Sequence, residues 1–287
     1  MKIAIVGSSG YIAKHLMKAF IEESKEWEII KIDMTDDADL KLQLTAPAEF
    51  DYNKLQGIDY VIFTAAISGP DMCANEFETC WDINVTGTSF FIREAIKRNV
   101  KVLFFSSDAA FGNIEGHIYD EGSETLAYTA YGKMKKAVED EFKTNKLFKC
   151  IRLSYVVSEN DKFISYCLNC IRKNESADIF HPFYRNCITV SDVIKAILWL
   201  MQNWTTFDSF VLNLTGTELV SRVRMADEMN RYLGNKLKYT VTQPNEDFFK
   251  NRPQVTQMKS KYLYALNIIE SKTFTEKFQE ELKKIEL

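Results

Sequence analysis

The chain has 287 residues, 46% of them apolar and 26% charged, with a net charge of −4. Eleven glycines and five prolines are too few for a collagen-like, linker-rich or Pro/Gly-rich disordered chain, and the charged fraction is that of a globular protein. A pI near 5.6 argues against a nucleic-acid partner, because neutralising phosphates takes clustered Lys and Arg.

At about 150 residues per domain, the length fits two domains or one large one. The longest apolar stretches are strand-sized, short of the 18 or so residues a membrane span requires, so no membrane partner is expected. The N-terminus MKIAIVGSSG has an apolar run that stops at Gly7, too short for a secretory leader. A cytoplasmic location follows as the expectation, with the six cysteines as reduced thiols. Cys167 and Cys170 form a CxxC without a second pair nearby. A zinc site needs about four ligands, so no metal is expected and these two read as ordinary helix residues.

In chain order, strands are expected at 2–6, 28–32, 40–44, 60–64, 100–105 and 148–153, with helices between them over 11–23, 77–98 and 131–143. Continuous apolar strands alternating with helices mean βαβ units and a parallel sheet covered on both faces. After residue 153 the pattern loosens. Helices at 163–173, 190–202 and 221–233 mix with short strands at 187–190, 210–214 and 239–242, and a charged helical tail covers 271–287. The fold class is therefore α/β: a doubly wound parallel sheet followed by a smaller mixed α/β substrate domain. The sheet domain is expected over residues 1–155, with about 186–214 returning to it, and the second domain over about 156–185 and 215–287. The helices over 77–98 and 131–143 carry Phe90, Phe91, Ile92, Met134, Val138 and Phe142 on more than one face. A helix apolar beyond its core stripe is either fully buried or covered by a partner, and a homodimer is expected.

Gly7-Ser8-Ser9-Gly10-Tyr11-Ile12-Ala13 follows the first strand and opens a helix. Free N–H groups and the positive helix end at such a turn suit a pyrophosphate. Gly7 permits the turn, Gly10 lets the backbone approach the phosphates, and Ala13 is small enough for close helix–strand packing. Asp33 ends the second strand, where a carboxylate can accept hydrogen bonds from ribose hydroxyls and repel a 2′-phosphate. Met34, Thr35, Asp36 and Asp37 after it supply no cation, so NAD(H) is favoured, with NADP(H) possible. Tyr131 and Lys135 are four apart on one helix face. A neighbouring ammonium should lower the phenol's pKa and let the pair exchange a proton with a carbonyl or hydroxyl. Ser106-Ser107-Asp108 ends the fifth strand at the edge where open α/β sheets bind ligands. His15 and His117 show no metal spacing; His181 with Arg185 is either structural or faces a substrate phosphate.

Taken together, GxxGxxA, Asp33, Ala65-Ala66, Asn84-Val85-Thr86-Gly87-Thr88, Ser106-Ser107 and Tyr131…Lys135 resemble an extended short-chain dehydrogenase/reductase over essentially the whole chain. The resemblance implies a Rossmann-type fold and a catalytic set of Ser107, Tyr131 and Lys135, with Asn84 bending a helix. It implies cofactor contacts at Gly7, Ser9, Gly10, Tyr11, Ile12, Asp33, Met34, Gln43, Leu44, Ala65, Ala66, Ser154 and Tyr155, besides Tyr131 and Lys135. Substrate contacts would come from Ser68, Ser107, Asp108, Ala109, Tyr155 and Arg252. Pro70-Asp71-Met72-Cys73, Asn75-Glu76 and Arg152-Leu153-Ser154-Tyr155-Val156 resemble the nucleotide-sugar branch. Arg252-Pro253, Met258 and Ser260 resemble dTDP-4-dehydrorhamnose reductases. Sugar 4,6-dehydratases place Asp-Glu after the catalytic Ser or Thr, where this chain has Asp108-Ala109.

The implied activity is NAD(P)H-dependent reduction of a 4-keto nucleoside-diphosphate sugar, of the dTDP-4-keto-6-deoxyhexose type used in deoxysugar and cell-surface polysaccharide biosynthesis. A nucleotide-sugar epimerase that retains NAD shares all of these residues. A dinucleotide-sensing protein without turnover would not need the Ser/Tyr/Lys set.

Overall fold

The computed structural model describes residues 1–285, and the chain divides into two compact units. The first comprises Met1–Gly112, Glu124–Arg152 and Thr205–Leu212; the second comprises Asn113–Ser123, Leu153–Trp204 and the chain from Asn213 on.

The first unit is built on β1 (Lys2–Val6), α1 (Tyr11–Glu23), β2 (Glu28–Asp33), β3 (Leu40–Lys41) and β4 (Tyr60–Phe63). It continues through α2 (Pro70–Asn75), α3 (Phe77–Trp81), α4 (Thr88–Lys97), β5 (Lys101–Ser107), α5 (Ala130–Phe142) and β6 (Phe148–Leu153). β4 is buried at every position and β1 at all but its first. Strands covered on both faces have no polar side to show. β1 pairs in parallel with β2 and β4, β2 with β3, and β4 with β5. The strand order is β10-β6-β5-β4-β1-β2-β3, where β10 is Val211–Leu214. The order reverses beside β1, so the carboxyl ends of β1 and β4 flank the switch point at which such sheets bind ligands. The core is aromatic: Phe63, Phe91, Phe104 and Phe148 are at most 1% exposed.

The second unit contains β7 (Tyr155–Val157), α6 (Lys162–Lys173), β8 (Ser176–Phe180), β9 (Tyr184–Thr189) and α7 (Val190–Gln202). After β10 come β11 (Leu219–Ser221), α8 (Arg222–Tyr232), β12 (Lys238–Thr242), α9 (Glu246–Lys250), β13 (Val255–Thr256) and α10 (Phe274–Leu282). β9 is the hub, pairing in parallel with β7 and β13 and antiparallel with β11. β8 pairs in parallel with β12 as a separate ribbon. Cys167, Met225, Met229 and Phe278 lie in this unit's core, and Cys170 of the CxxC is buried there as well.

Three sequence expectations change. The strand expected at 40–44 ends at Lys41, because the Gln43 carbonyl accepts a turn hydrogen bond from the Ala46 N–H just before Pro47 opens a 3₁₀ turn. The helix expected at 77–98 is interrupted by a π turn over Asp82–Gly87. The Asn84 side chain causes the break, since its oxygen accepts from the Ile67 N–H and its amide donates to the Ile67 carbonyl, both at 2.8 Å. The homodimer loses its sequence argument. Phe91, Ile92, Met134, Val138 and Phe142 are buried within their own chain, and Phe90 packs against the same core as Phe91. Of the helical tail expected at 271–287, α10 forms its centre, and residues 286 and 287 lie outside the described residues.

Candidate active site

Gly7 leaves β1 at φ +83°, and a Cβ there would sit 2.7 Å from the Ala65 backbone nitrogen just past β4. Only a glycine lets the two loops at the switch point meet so closely. The Thr64 hydroxyl locks this junction by donating to the Val6 carbonyl at 2.8 Å and lying 3.1 Å from that of Gly7. Gly10 is the N-cap of α1. Its extended backbone bears no capping side chain, and the first turn carries no acidic residue. The leading N–H groups of α1 therefore face outward at a positive helix end. Asp33 closes the loop from the β2 side: one carboxylate oxygen accepts from the Ser9 N–H at 2.8 Å and the other from the Met34 N–H at 2.7 Å. The Met34 side chain is exposed. Tyr11 begins α1 with its ring edge-on to His15, and Ile12 follows it half-buried. Gln43 forms the turn after β3, and the Leu44 carbonyl lies against Gly87 of the π turn. Ala65 and Ala66 are half-buried, and Ser68 is exposed.

The second cluster forms where β5 ends. The Ser107 hydroxyl donates to Asp108 at 3.0 Å and accepts from the Ala109 N–H at 3.2 Å, capping a one-turn 3₁₀ helix over Asp108–Ala110. The first turn of α5 is pressed onto this turn. A Cβ on Gly132 would lie 2.0 Å from the Ala109 carbonyl oxygen, so glycine at that position brings Tyr131 next to Asp108. Thr129 caps the helix, accepting from the Gly132 N–H at 3.1 Å.

Tyr131 and Lys135 share one face of α5. The Lys135 ammonium lies 5.6 Å from the Tyr131 ring centre and 4.5 Å from that of Phe104. It donates to the Phe105 carbonyl at 2.7 Å. Burial pushes Lys135 down to about 7, against the opposing pull of Glu139 and then of the Cys73 and Cys150 thiols. Tyr131 corrects a sequence expectation. Its pKa is raised, not lowered: burial dominates, and Cys73 and Asp108 add to it. The Cys73 thiol of α2 is itself pushed up to about 12 by burial, with Cys80 adding. Around it Cys80, Met134 and Asn84 form a compact layer behind Tyr131.

In the second unit, the Ser154 hydroxyl bonds to the Asn186 carbonyl. Tyr155 donates to Asp161 at 2.9 Å, and its ring lies 4.0 Å under the Arg222 guanidinium. Arg222 also covers Phe163 at 4.5 Å and reaches Phe183 at 5.7 Å. Phe183 meets Phe248, and Arg252 lies 4.4 Å over the Phe248 ring while donating to the Phe248 carbonyl at 2.6 Å. The unit thus assembles Tyr155 and Arg252 through Arg222, Phe183 and Phe248. Sequence reading passes over these last three because the contacts that join Arg222 to Tyr155 and Phe183 to Phe248 run between distant parts of the chain. Arg185 donates to the carbonyls of Tyr184, Pro253 and Gln254, which makes it a brace between β9 and β13. His181 packs edge-on against Tyr184. A cavity in this unit, lined by Thr189, Asp192, Glu218, Tyr264, Lys272 and Lys277 among others, involves none of the sequence-derived site residues.

The profile of the RmlD substrate binding domain family matches residues 1–287. The chain belongs to that family. This bears out the resemblance to dTDP-4-dehydrorhamnose reductases and the wider epimerase/dehydratase group. The dTDP-4-dehydrorhamnose reductase of Bacillus anthracis, solved with NADP, superposes with a TM-score of 0.82 at 19% identity, over 99% of both chains. A UDP-glucuronic acid 4-epimerase from Bacillus cereus, solved with a fluorinated UDP-sugar and NAD, gives 0.82 at 16% identity, over 99% of this chain and 98% of its own. Mouse dTDP-D-glucose 4,6-dehydratase is 23% identical, over 92% of this chain and 83% of its own. The Rossmann-like, mostly parallel sheet flanked by helices is thus the architecture of reductases and epimerases alike. Among the described residues no helix is long and apolar enough to cross a membrane.

Proposed function

We propose that this family member reduces a 4-keto nucleoside-diphosphate sugar, of the dTDP-4-keto-6-deoxyhexose type, with NAD(P)H. The observation that carries this reading is the seating of Tyr131 against the Ser107-Asp108-Ala109 turn at the carboxyl edge of the sheet. The loop around Gly7 fits a dinucleotide: its uncapped helix start offers N–H groups to a pyrophosphate, and a Cβ would fill the cradle. Asp33, at the end of β2, would accept from ribose hydroxyls, and its charge supports NAD(H) over NADP(H). Ser9, Tyr11 and Ile12 would line the phosphates, and Met34, Gln43 and Leu44 the adenosine side. When bound, the nicotinamide supplies the hydride.

The chain's own residues do the rest. Ser107 polarises the ketone oxygen, Tyr131 gives it a proton, and Lys135 anchors the cofactor ribose beside Tyr131. Ala109 carries no carboxyl where the 4,6-dehydratases place Glu, which supports reduction over dehydration. We assign the nucleoside diphosphate to the second unit. There Tyr155, Phe183 and Phe248 offer aromatic faces, and Arg222 and Arg252 offer cationic groups.

The test supplies NADH or NADPH with a panel of 4-keto sugar nucleotides and follows loss of the reduced cofactor. Oxidation of NADH, with a higher kcat/KM than for NADPH and a smaller advantage in Asp33→Ala, is the expected result. A tenfold preference for NADPH removes Asp33 from the ribose. No consumption, with NAD retained through purification and interconversion of a UDP- or dTDP-sugar pair, replaces the reductase with an epimerase.

A further inference from the structure

The row that carries Tyr131 and Lys135 continues to Glu139, another four residues along α5. Residues at this spacing lie one turn apart on one face. Glu139 is 2% exposed, and Lys135 and Arg152 are 3% exposed. Three charged side chains are thus buried together, where an uncompensated charge is strongly disfavoured. Arg152 of β6 grips the carboxylate with Nη2 to Oε2 at 2.6 Å and Nε to both oxygens at 3.1 Å. The Ser106 hydroxyl donates to Oε1 from the end of β5. The guanidinium is held in turn, 4.8 Å from the centre of the Phe111 ring.

The charges decide what this cluster does. Arg152 stays protonated at any working pH and is paired with the Glu139 carboxylate. Neutralising Glu139 would leave the buried Lys135 and Arg152 without their compensating carboxylate, and only the lysine can relieve that by losing its proton. We propose that Glu139 is a positioning residue for Lys135: anchored by Ser106 and Arg152, its carboxylate offsets the guanidinium and keeps the Lys135 ammonium charged beside Tyr131. The inference rests on the reading of Tyr131 and Lys135 as the working pair, and on no particular substrate. The other groups facing Lys135 are the thiols of Cys73 on α2 and Cys150 on β6, which are protonated at neutral pH; Glu139 is the largest charge opposing the effect of burial.

The experiment titrates the Lys135 amine directly, by NMR of the full-length protein labelled with ¹³C and ¹⁵N lysine, without cofactor or substrate. The signal is assigned by its loss in Lys135→Met. Glu139→Gln keeps size and a partner for Ser106 while removing the charge, and should lower the Lys135 midpoint by about one pH unit or more. Adding Arg152→Met removes the second cation and should restore part of that shift. If Glu139→Gln alone does not fold, the double variant removes the unpaired guanidinium that Glu139→Gln leaves buried and carries the test, its midpoint still below that of the wild type. An unshifted midpoint in the folded variant overturns the proposal and leaves Glu139 as a structural ion-pair partner. Loss of reductase activity in the substrate panel would leave this titration unchanged, so the two readings fail separately.

Discussion

Burial, the Cys73 thiol and the Asp108 carboxylate all raise the pKa of Tyr131 and hold the proton on its hydroxyl. A phenol in that state carries the proton that reduction of a ketone consumes, though burial holds that proton more tightly than water does. Ser107, tied to Asp108 at 3.0 Å, presents its oxygen on the turn against which α5 starts. Tyr131→Phe removes one oxygen and no packing. Its turnover with the 4-keto sugar should fall by about 10²-fold or more, the scale of a positioned proton donor, with an unchanged far-ultraviolet circular dichroism spectrum. Turnover equal to that of the wild type would remove Tyr131 from the mechanism.

At the scale of elements, the π turn is the feature that apolar periodicity could not show. Residues 77–98 read as one helix because their side chains repeat with helical spacing. The break comes from Asn84, whose amide holds both polar groups of Ile67 in the loop after β4. Asn84 could be picked out as a helix-bending residue only through the family resemblance. The strands of the first unit were legible because burial on both faces makes each a continuous apolar run. β7, β11 and β13 were not, because each is only two or three residues long, and β8 was not, because it pairs with β12 far along the chain instead of joining a continuous apolar run. The Tyr131–Lys135 spacing was legible for the same local reason as the strands. Glu139 continues that row, yet its meaning depends on Arg152 across the sheet. Asn84→Ala would strip the half-buried N–H and C=O of Ile67 of their partner at about 1–3 kcal/mol each. Urea unfolding should show a loss of about 2–6 kcal/mol on that scale, and a loss below about half a kcal/mol would mean that the Ile67 loop is held by other contacts.

At the scale of the whole molecule, the site is a cost that the fold carries. A lysine pushed down to about 7 by burial disfavours the folded state whenever it is protonated there. The sign follows from proton counting. Between about 7 and the ordinary 10.5, the unfolded chain holds a proton on Lys135 that the folded chain has released. Stability therefore rises with pH across that window, and it is lost as pH falls back through the folded value. Below about 7 both states are protonated, and the full cost of the buried ammonium is present. Lys135→Met keeps much of the side chain's length and removes the charge, so it should unfold at higher urea than the wild type. All other titrating groups are common to the two proteins, so the difference between their unfolding free energies isolates the lysine. That difference should be greatest below about 7 and shrink steadily as pH is raised toward 10.5. A gap that stays constant with pH would mean that Lys135 titrates normally in the folded chain. If the gap shrinks while the variant has lost its cofactor-dependent turnover, the protein gives up stability at Lys135 to keep a cation where the reaction needs one.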